Sequence, residues 1–418
     1  MSLIVMKFGG SSVGNAERMK RAAGRIAERR KQGHQCVIVV SAMGDTTDDL
    51  IDLSRQVSGG QPSEREMDML LATGEQMSVA LLSMAIHSLG QPALSLTGWQ
   101  AGMHTDDKHG KARITDIKPE RILEAVRLEK IVIVAGFQGI SDEGNITTLG
   151  RGGSDTTAVA LAAAIQADLC EIYTDVDGVY STDPRVVKVA RKLKEISYDE
   201  MLELANLGAA VLHPRAVEYA KNYNVPLVVR SSFTNNEGTF VKEEAVMEQG
   251  NLVRGIAYNK NVARISILGV PEKPGQLAKV FTSLAEAQID VDIIVQSGVM
   301  NGLADFSFSV SLDDRERALG VLEKIQDEIG FRETTSEDNL VKVSIVGAGM
   351  VSTPGVAATM FEELSKLGIS INMVSTSEIK ISCVIAASHL TEAVQALHTA
   401  YGLDTKEQAF IGGPKERR

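Results

Sequence analysis

Five short runs rich in β-branched and other apolar residues, Leu3–Phe8, Val37–Ser41, Ile131–Phe137, Glu171–Thr174 and Val225–Arg230, recur through residues 1–241. Most lack the polar alternation of a half-exposed strand, and a strand apolar on both faces must be covered on both. The stretches between them, Ala16–Gln32, Glu64–Leu89, Pro119–Glu129, Thr156–Ala167 and Ser197–Leu207, have the pattern of amphipathic helices. Strand and helix in alternation specify an α/β domain on a largely parallel sheet. Ser197-Tyr198-Asp199-Glu200 supplies a capping box for the last of these helices.

After Thr234-Asn235-Asn236-Glu237-Gly238 the style of the sequence changes, and the polar residues 242–250 read as a linker. Beyond it lies an internal repeat. A shift of 80 residues pairs Pro274-Gly275 with Pro354-Gly355, Phe281 with Phe361, Leu284 with Leu364, Ile289 with Ile369, Ile294 with Val374 and Ser297 with Ser377. Each copy reads as a βαββαβ unit of about 70 residues. At about 150 residues per domain, 418 residues suggest three domains, and one large α/β domain with two small repeats meets that number. Each small unit has a single helical layer and an open sheet edge, so pairing with another copy is expected.

Hydrophobic residues make up 44% and charged residues 23%, which is globular composition. The net charge of −11 argues against a nucleic-acid surface. The N-terminal residues carry no basic segment ahead of a long apolar run, and no stretch reaches 18 uncharged apolar residues, so a soluble, unexported protein without a membrane partner is expected. Cys36, Cys170 and Cys383 are too far apart for a zinc knuckle or redox pair and read as buried thiols of a reducing cytoplasm.

Four loops carry the chemistry. Lys7-Phe8 runs into Gly9-Gly10-Ser11-Ser12 and a helix, so a lysine and backbone amides converge where phosphate binds readily. The chain has neither a Walker A loop nor a complete G-x-G-x-x-G. Ser41-Ala42-Met43-Gly44-Asp45-Thr46-Thr47-Asp48 follows another strand, at the end of the sheet where open α/β folds bind ligands. Thr147–Thr157 contains three glycines, which let a ligand approach the backbone, and Arg151, whose fork of donors suits a carboxylate. Ser154 or Asp155 could alternatively cap the helix that follows. Tyr173–Arg185 offers an aromatic face, hydroxyls, carboxylates and an arginine, a set suited to a nucleotide, or else forms a polar turn between strand and helix.

Lys7–Ser12, Val40–Gly44, Leu149–Thr157 and Thr174–Arg185 resemble, in order, the signatures of the aspartate kinase family in the amino acid kinase superfamily. The C-terminal repeats resemble ACT domains. The resemblance implies an amino acid kinase fold, mostly parallel sheet in an αβα sandwich, over residues 1–241, followed by ferredoxin-like ACT units at 262–335 and at 251–261 with 336–410. It implies ATP-dependent phosphorylation of the L-aspartate β-carboxylate, with Mg²⁺ bridging phosphates and no dedicated protein metal site. Another carboxylate kinase of the superfamily, or a catalytically silent amino acid sensor, is the alternative.

The resemblance assigns Lys7 to the transferred phosphoryl group and Asp155 to orienting Lys7 or the reactants. Arg151 takes a substrate carboxylate, Thr47 and Ser154 are hydroxyl partners, and Glu75 in Ala72-Thr73-Gly74-Glu75-Gln76 takes the ammonium. Gly9, Gly10, Ser41, Thr174, Asp175, Tyr180 and Arg185 are the nucleotide contacts. Some relatives carry a lysine where this chain has Ala210, leaving Arg185 to compensate. An aspartate carboxylate is already ionised at neutral pH, so no catalytic histidine is required; His213 reads as structural and His104 and His109 as loop residues. In the ACT units the resemblance implies an amino acid effector, lysine, threonine or both, held by Gly275, Gln276, Leu277, Asp292 and Gln296, with Asn372 in the corresponding place of the second copy. Residues 251–258 are expected to lend a strand to that second unit, and Met247 is placed for an internal start that would give a separate regulatory subunit.

Overall fold

The computed structural model describes residues 2–208, 211–243, 252–350 and 353–405. Ala210 and Met247 lie outside them. The first part of the chain runs β1 (Leu3–Phe8), α1 (Ala16–Lys31), β2 (Gln35–Val40), α2 (Thr46–Ser58), α3 (Glu64–His87), β3 (Ala93–Leu96), β4 (Met103–Thr105), β5 (Ile114–Ile117), α4 (Glu120–Arg127), β6 (Ile131–Ala135), β7 (Gln138–Ser141), β8 (Ile146–Thr148), α5 (Gly153–Ala164) and β9 (Leu169–Thr174). It continues through β10 (Glu195–Ser197), α6 (Tyr198–Asn206), α7 (Pro214–Asn222), β11 (Leu227–Ser231) and β12 (Thr239–Lys242). These form an eight-stranded sheet in the order β10-β12-β11-β9-β1-β2-β6-β3, parallel from β11 to β3, with a smaller sheet β5-β4-β7-β8 beside it.

The period-two alternation of side chains divides the core between the faces of the large sheet. Ile4, Met6 and Phe8 of β1 pack with Ile38 and Val40 against Ile26 of α1 and Leu82 of α3. Val5, Val37, Val39 and Val134 face the opposite layer, which holds Val159 of α5 and Val217 of α7. Residues 64–88 have the length and hydropathy of a membrane span, but Val79, Leu82 and Ile86 are committed to this core. The capping box at Ser197 and Glu200 is present in full. Cys36, Cys170 and Cys383 are buried and unpaired.

The C-terminal part comprises β13 (Gly255–Asn259), β14 (Ala263–Pro271), α8 (Gln276–Glu286), β15 (Val291–Gln296), β16 (Leu303–Val310), α9 (Arg315–Ile329), β17 (Glu333–Glu337), β18 (Leu340–Val346), α10 (Val356–Lys366), β19 (Met373–Thr376), β20 (Lys380–Ala386) and α11 (Leu390–Ala400). Two antiparallel sheets result, β15-β16-β14-β17 and β19-β20-β18-β13. β13 therefore holds in the second sheet the place of β17 in the first: it precedes the first unit in sequence and pairs with β18 of the second. Gly275 and Gly355 cap their helices with the same left-handed backbone, φ 94° and ψ −12°.

Candidate active site

Lys7 shares a face of β1 with Val5, and that face looks toward α5. The result is a close ion pair: Lys7 Nζ lies 2.6 Å from Asp155 Oδ1 in the first turn of α5. Gly152 is the N-cap of α5, with φ 69°, and no side chain caps the helix. Ser154 and Asp155 are thus in the helix rather than capping it. The helix expected from Ala16 does begin there, with Asn15 capping α1 by accepting the Arg18 amide at 3.0 Å, and residues 10–12 form a separate 3₁₀ turn ahead of it. The amides nearest Lys7 consequently belong to the glycine turn.

Glycine is needed there for close approach. A Cβ on Gly9 would stand 3.4 Å from Lys7 Nζ, and one on Gly10 only 2.8 Å from the Ala42 carbonyl oxygen. The Gly44 amide donates to Gly10 O at 3.1 Å and the Ser41 amide to Phe8 O at 3.1 Å, so the first two loops lie against each other. The second is shorter than its sequence suggests: α2 begins at Thr46, which puts Thr47 in a helical turn.

Glu75 joins this group from α3. It is 3% exposed, and Gly74 beside it brings the helix so near that a Cβ would meet that of Ala42 at 2.9 Å. Oε1 of Glu75 accepts the Ala42 amide at 2.9 Å, while Oε2 has no hydrogen-bond partner among the described residues. Burial pushes the Glu75 pKa up to about 7 against the opposing pull of the Ala42 amide. A buried carboxylate oxygen without a donor is ready to receive a cation.

Around the glycine-rich loop, Arg151 is exposed and makes no hydrogen bond or ion pair among the described residues. Ser154 is 7% exposed and packs so tightly on Gly136 that a Cβ there would lie 2.8 Å from its Oγ. Several residues whose importance the sequence did not disclose hold this loop. Arg215 donates to the carbonyls of Leu149 at 2.7 Å and Ala112 at 3.1 Å. Asp68, fully buried, accepts the Thr148 hydroxyl at 2.5 Å, the Gly110 amide at 3.1 Å and faces His109 Nδ1 at 2.7 Å. Its available signal was position: Asp68 stands seven residues before Glu75, on the same helix face. His213 caps α7, and its ring fills the space over Gly152. Burial holds its pKa below the ordinary value. His109 lies in a loop, but His104 is in β4 rather than a loop.

The third group is more dispersed. Thr174 ends β9 and donates its hydroxyl to Asp175 at 3.0 Å. Instead of a short turn, a long irregular segment runs from there to β10. Tyr180 donates to Asp177 at 2.8 Å, and both line a cleft of about 670 Å³ with Lys192, Lys194, Arg230 and Asn236. Arg185 is engaged with Asp183 through a fork of bonds at 2.8 to 3.1 Å, and Asp183 also accepts Tyr258 of β13. Burial opposes ionisation of Asp183, but these donors prevail and hold its pKa below the ordinary value.

In the C-terminal units, Gly275 and Leu277 flank Gln276, whose side-chain amide donates to Ile329 O at 3.3 Å. Asp292 is bonded to Lys342 of the second sheet, Gln296 is exposed on β15, and Asn372 donates to Glu337 on β17 of the first sheet at 3.1 Å. Of the effector candidates, Asp292 and Asn372 are thus engaged across the two sheets, while Gln276 bonds within its own unit.

A lysine, a glycine turn and an uncapped helix at the carboxyl ends of parallel strands, followed by two small antiparallel repeats, define a phosphotransferase of the amino acid kinase class. Residues 2–231 match the amino acid kinase family, and residues 263–330 and 343–401 each match an ACT domain. The chain is 55% identical to aspartokinase 2 of Bacillus subtilis over 98% of its own length and 100% of that protein's. It superposes on E. coli aspartokinase III in complex with aspartate and ADP with a TM-score of 0.82, at 27% identity over 95% of this chain and 99% of that one. The complex of the same E. coli protein with lysine and aspartate gives 0.72, at 26% identity over the same shares. The chain belongs to the aspartokinase family. Its activity is that of an aspartate kinase, which transfers a phosphoryl group from ATP to L-aspartate.

Proposed function

We propose that Lys7, Asp155, Arg151, Thr47, Ser154 and Glu75 carry out the phosphorylation of the aspartate β-carboxylate. The transfer sets an anionic nucleophile against an anionic phosphoryl group, so charge compensation and in-line positioning are the main requirements. Lys7 compensates the transferred group and Asp155 keeps Lys7 aimed. Arg151 holds a substrate carboxylate, Thr47 and Ser154 supply hydroxyls, and Glu75 Oε2 receives the ammonium. The observations that carry this reading are the oxygen of Glu75 left without a hydrogen-bond partner among the described residues and the Lys7–Asp155 pair between β1 and α5. Gly9, Gly10, Ser41, Thr174, Asp175, Tyr180 and Arg185 serve the nucleotide. No group of three or more His, Cys, Asp or Glu side chains forms a metal cage among the described residues; a Mg²⁺ ion carried by the ATP phosphates, neutralising their charge, fits this donor set.

The domains in this reading are a kinase domain at 1–241, a linker at 242–250, one ACT unit at 262–335 and a second built from 251–261 with 336–410, as the pairing of β13 with β18 supports. Lysine, threonine or both inhibit by preferring a less active state; the lysine complex of the E. coli protein supports this. Exposed Ile294 and Val295 on the edge strand β15 support self-association through the ACT units. Buried, unpaired thiols suit a cytoplasmic protein.

Trapping the acyl phosphate with hydroxylamine tests the reading. Protein, Mg-ATP and L-aspartate should yield hydroxamate, suppressed by lysine, threonine or their mixture. Hydroxamate from another acid in place of aspartate would favour a different acceptor, and none from folded, ATP-binding protein would favour a silent sensor.

A further inference from the structure

The segment carrying Tyr180 and Arg185 leaves the kinase sheet and finds its core elsewhere. Val187 and Ala190 are buried among Val341, Ile345, Leu390 and Leu397 of the second ACT unit. Polar contacts follow the same course. The Ile256 amide donates to Ser181 O at 2.6 Å, the Gln395 side chain to Val186 O at 3.1 Å and the Thr405 amide to Val189 O at 3.0 Å. In the middle stands a row of three side chains. Ser181 Oγ is 2.8 Å from His398 Nε2, and His398 Nδ1 is 2.6 Å from Asp404 Oδ1. Thr399 fixes the far end by donating to Asp404 Oδ2 at 2.9 Å.

The composition is that of a nucleophilic triad, but Ser181 and His398 are both fully buried and no substrate can reach them. Ser181 Oγ also accepts the Arg191 amide at 2.9 Å, which leaves its proton for His398 Nε2. The imidazole proton then sits on Nδ1 and is donated to Asp404. Burial favours the neutral ring, and the Arg191 charge acts in the same sense against the pull of Asp404. The row is a directional chain of hydrogen bonds from α11 to the residue next to Tyr180.

We infer that His398 is a positioning residue for the nucleotide, holding the Tyr180–Arg185 segment in binding geometry from within the second ACT unit. The inference rests on the reading of Tyr180 and Arg185 as nucleotide contacts. A segment already ordered before ATP arrives binds with less entropy loss, and a loosened one weakens apparent affinity in proportion to the fraction still competent. The effect should fall on ATP and spare aspartate, whose proposed contacts lie on other loops.

The test compares His398→Ala, His398→Gln, Asp404→Asn and Tyr180→Ala in the full chain, measuring KM for Mg-ATP and for aspartate, kcat, and ATP binding by calorimetry. His398→Ala should raise KM for Mg-ATP roughly tenfold, with kcat and KM for aspartate within about twofold. His398→Gln, whose amide oxygen can still accept from Ser181, should recover most of the loss. A folded His398→Ala protein with unchanged KM for Mg-ATP, or with both KM values raised in step, overturns the inference. If that variant does not fold, Asp404→Asn decides, because its side chain is 39% exposed: a selective rise in KM for Mg-ATP supports the inference and no change overturns it. Tyr180→Ala separates the two levels. If it leaves ATP binding intact, the nucleotide reading fails and the inference with it; if it weakens ATP binding while the other variants do not, the inference alone fails.

Discussion

Lys7 and Asp155 are joined at 2.6 Å between the central strand and the first turn of α5, with side chains 11% and 14% exposed. The pair brings a cation to the end of the sheet and restrains its long, flexible side chain, so in the proposed role the ammonium would meet the phosphoryl group without first being ordered. Asp155→Asn keeps the shape and removes the counter-charge. Steady-state kinetics should show kcat lowered roughly 10- to 100-fold, by the scale of unpairing a part-buried charge, with KM for aspartate little altered.

Glu75 gives the site a pH signature. Its pKa near 7 means that the carboxylate proposed to receive the aspartate ammonium is increasingly protonated below neutrality. KM for aspartate should therefore rise as pH falls through about 7, and the rise should be absent in Glu75→Gln, whose KM is high throughout.

The same group predicts a stability effect of opposite sense. The folded pKa lies above the ordinary 4.5, so the folded state binds the extra proton between those values and loses stability as pH rises from about 4.5 to 7. Glu75→Gln avoids burying the charge. It should be more stable than the parent at pH 8 by up to about 3 kcal/mol, the difference vanishing toward pH 4 in urea titrations.

Gly152 cannot carry a side chain. Its backbone is left-handed, and a Cβ would stand 2.0 Å from His213 Cγ. Gly152→Ala should destabilise the protein by roughly 1 to 3 kcal/mol and displace Arg151 and Ser154, with KM for aspartate rising. Adding His213→Gly should restore part of the stability, since it removes both the ring and the Cβ that would stand 2.3 Å away but not the backbone strain; thermal melting of the single and double variants measures both.

Lys342 is 8% exposed in its side chain and bonded to Asp292 across the ACT units. Replacing it with Met leaves Asp292 without this partner. Inhibition curves for lysine and threonine should shift by roughly fivefold or more, while the rate without effector stays at the parental value.

The parts of this fold that were legible in the sequence are those fixed by local pattern. The run Leu3–Phe8, apolar but for Lys7, reads as a strand covered on both faces, and Ser197 with Glu200 marked a helix start through two reciprocal bonds. The 80-residue shift predicted paired units whose Pro-Gly turns adopt the same geometry. Short or atypical elements were not legible. β4 and β8 have three residues each, too few for a period to appear, and α2 starts at Thr46 without a side-chain cap in a run of loop-forming residues. At the site, Lys7 and Asp155 could be named because each adjoins a distinctive glycine-rich stretch. His398 could not: its partner Ser181 is 217 residues away, and nothing in Leu397-His398-Thr399 indicates what the chain folds against. The same holds for Tyr258 and Asp183, 75 residues apart.

The most direct test of the account is the turnover of Lys7→Ala with Mg-ATP and aspartate both saturating, read as trapped hydroxamate, in protein shown by circular dichroism to be folded. If Lys7 compensates the phosphoryl group in the transition state, kcat falls by at least about 100-fold, a loss of about 3 kcal/mol, while KM for aspartate changes little. A folded Lys7→Ala enzyme with parental kcat would contradict the account.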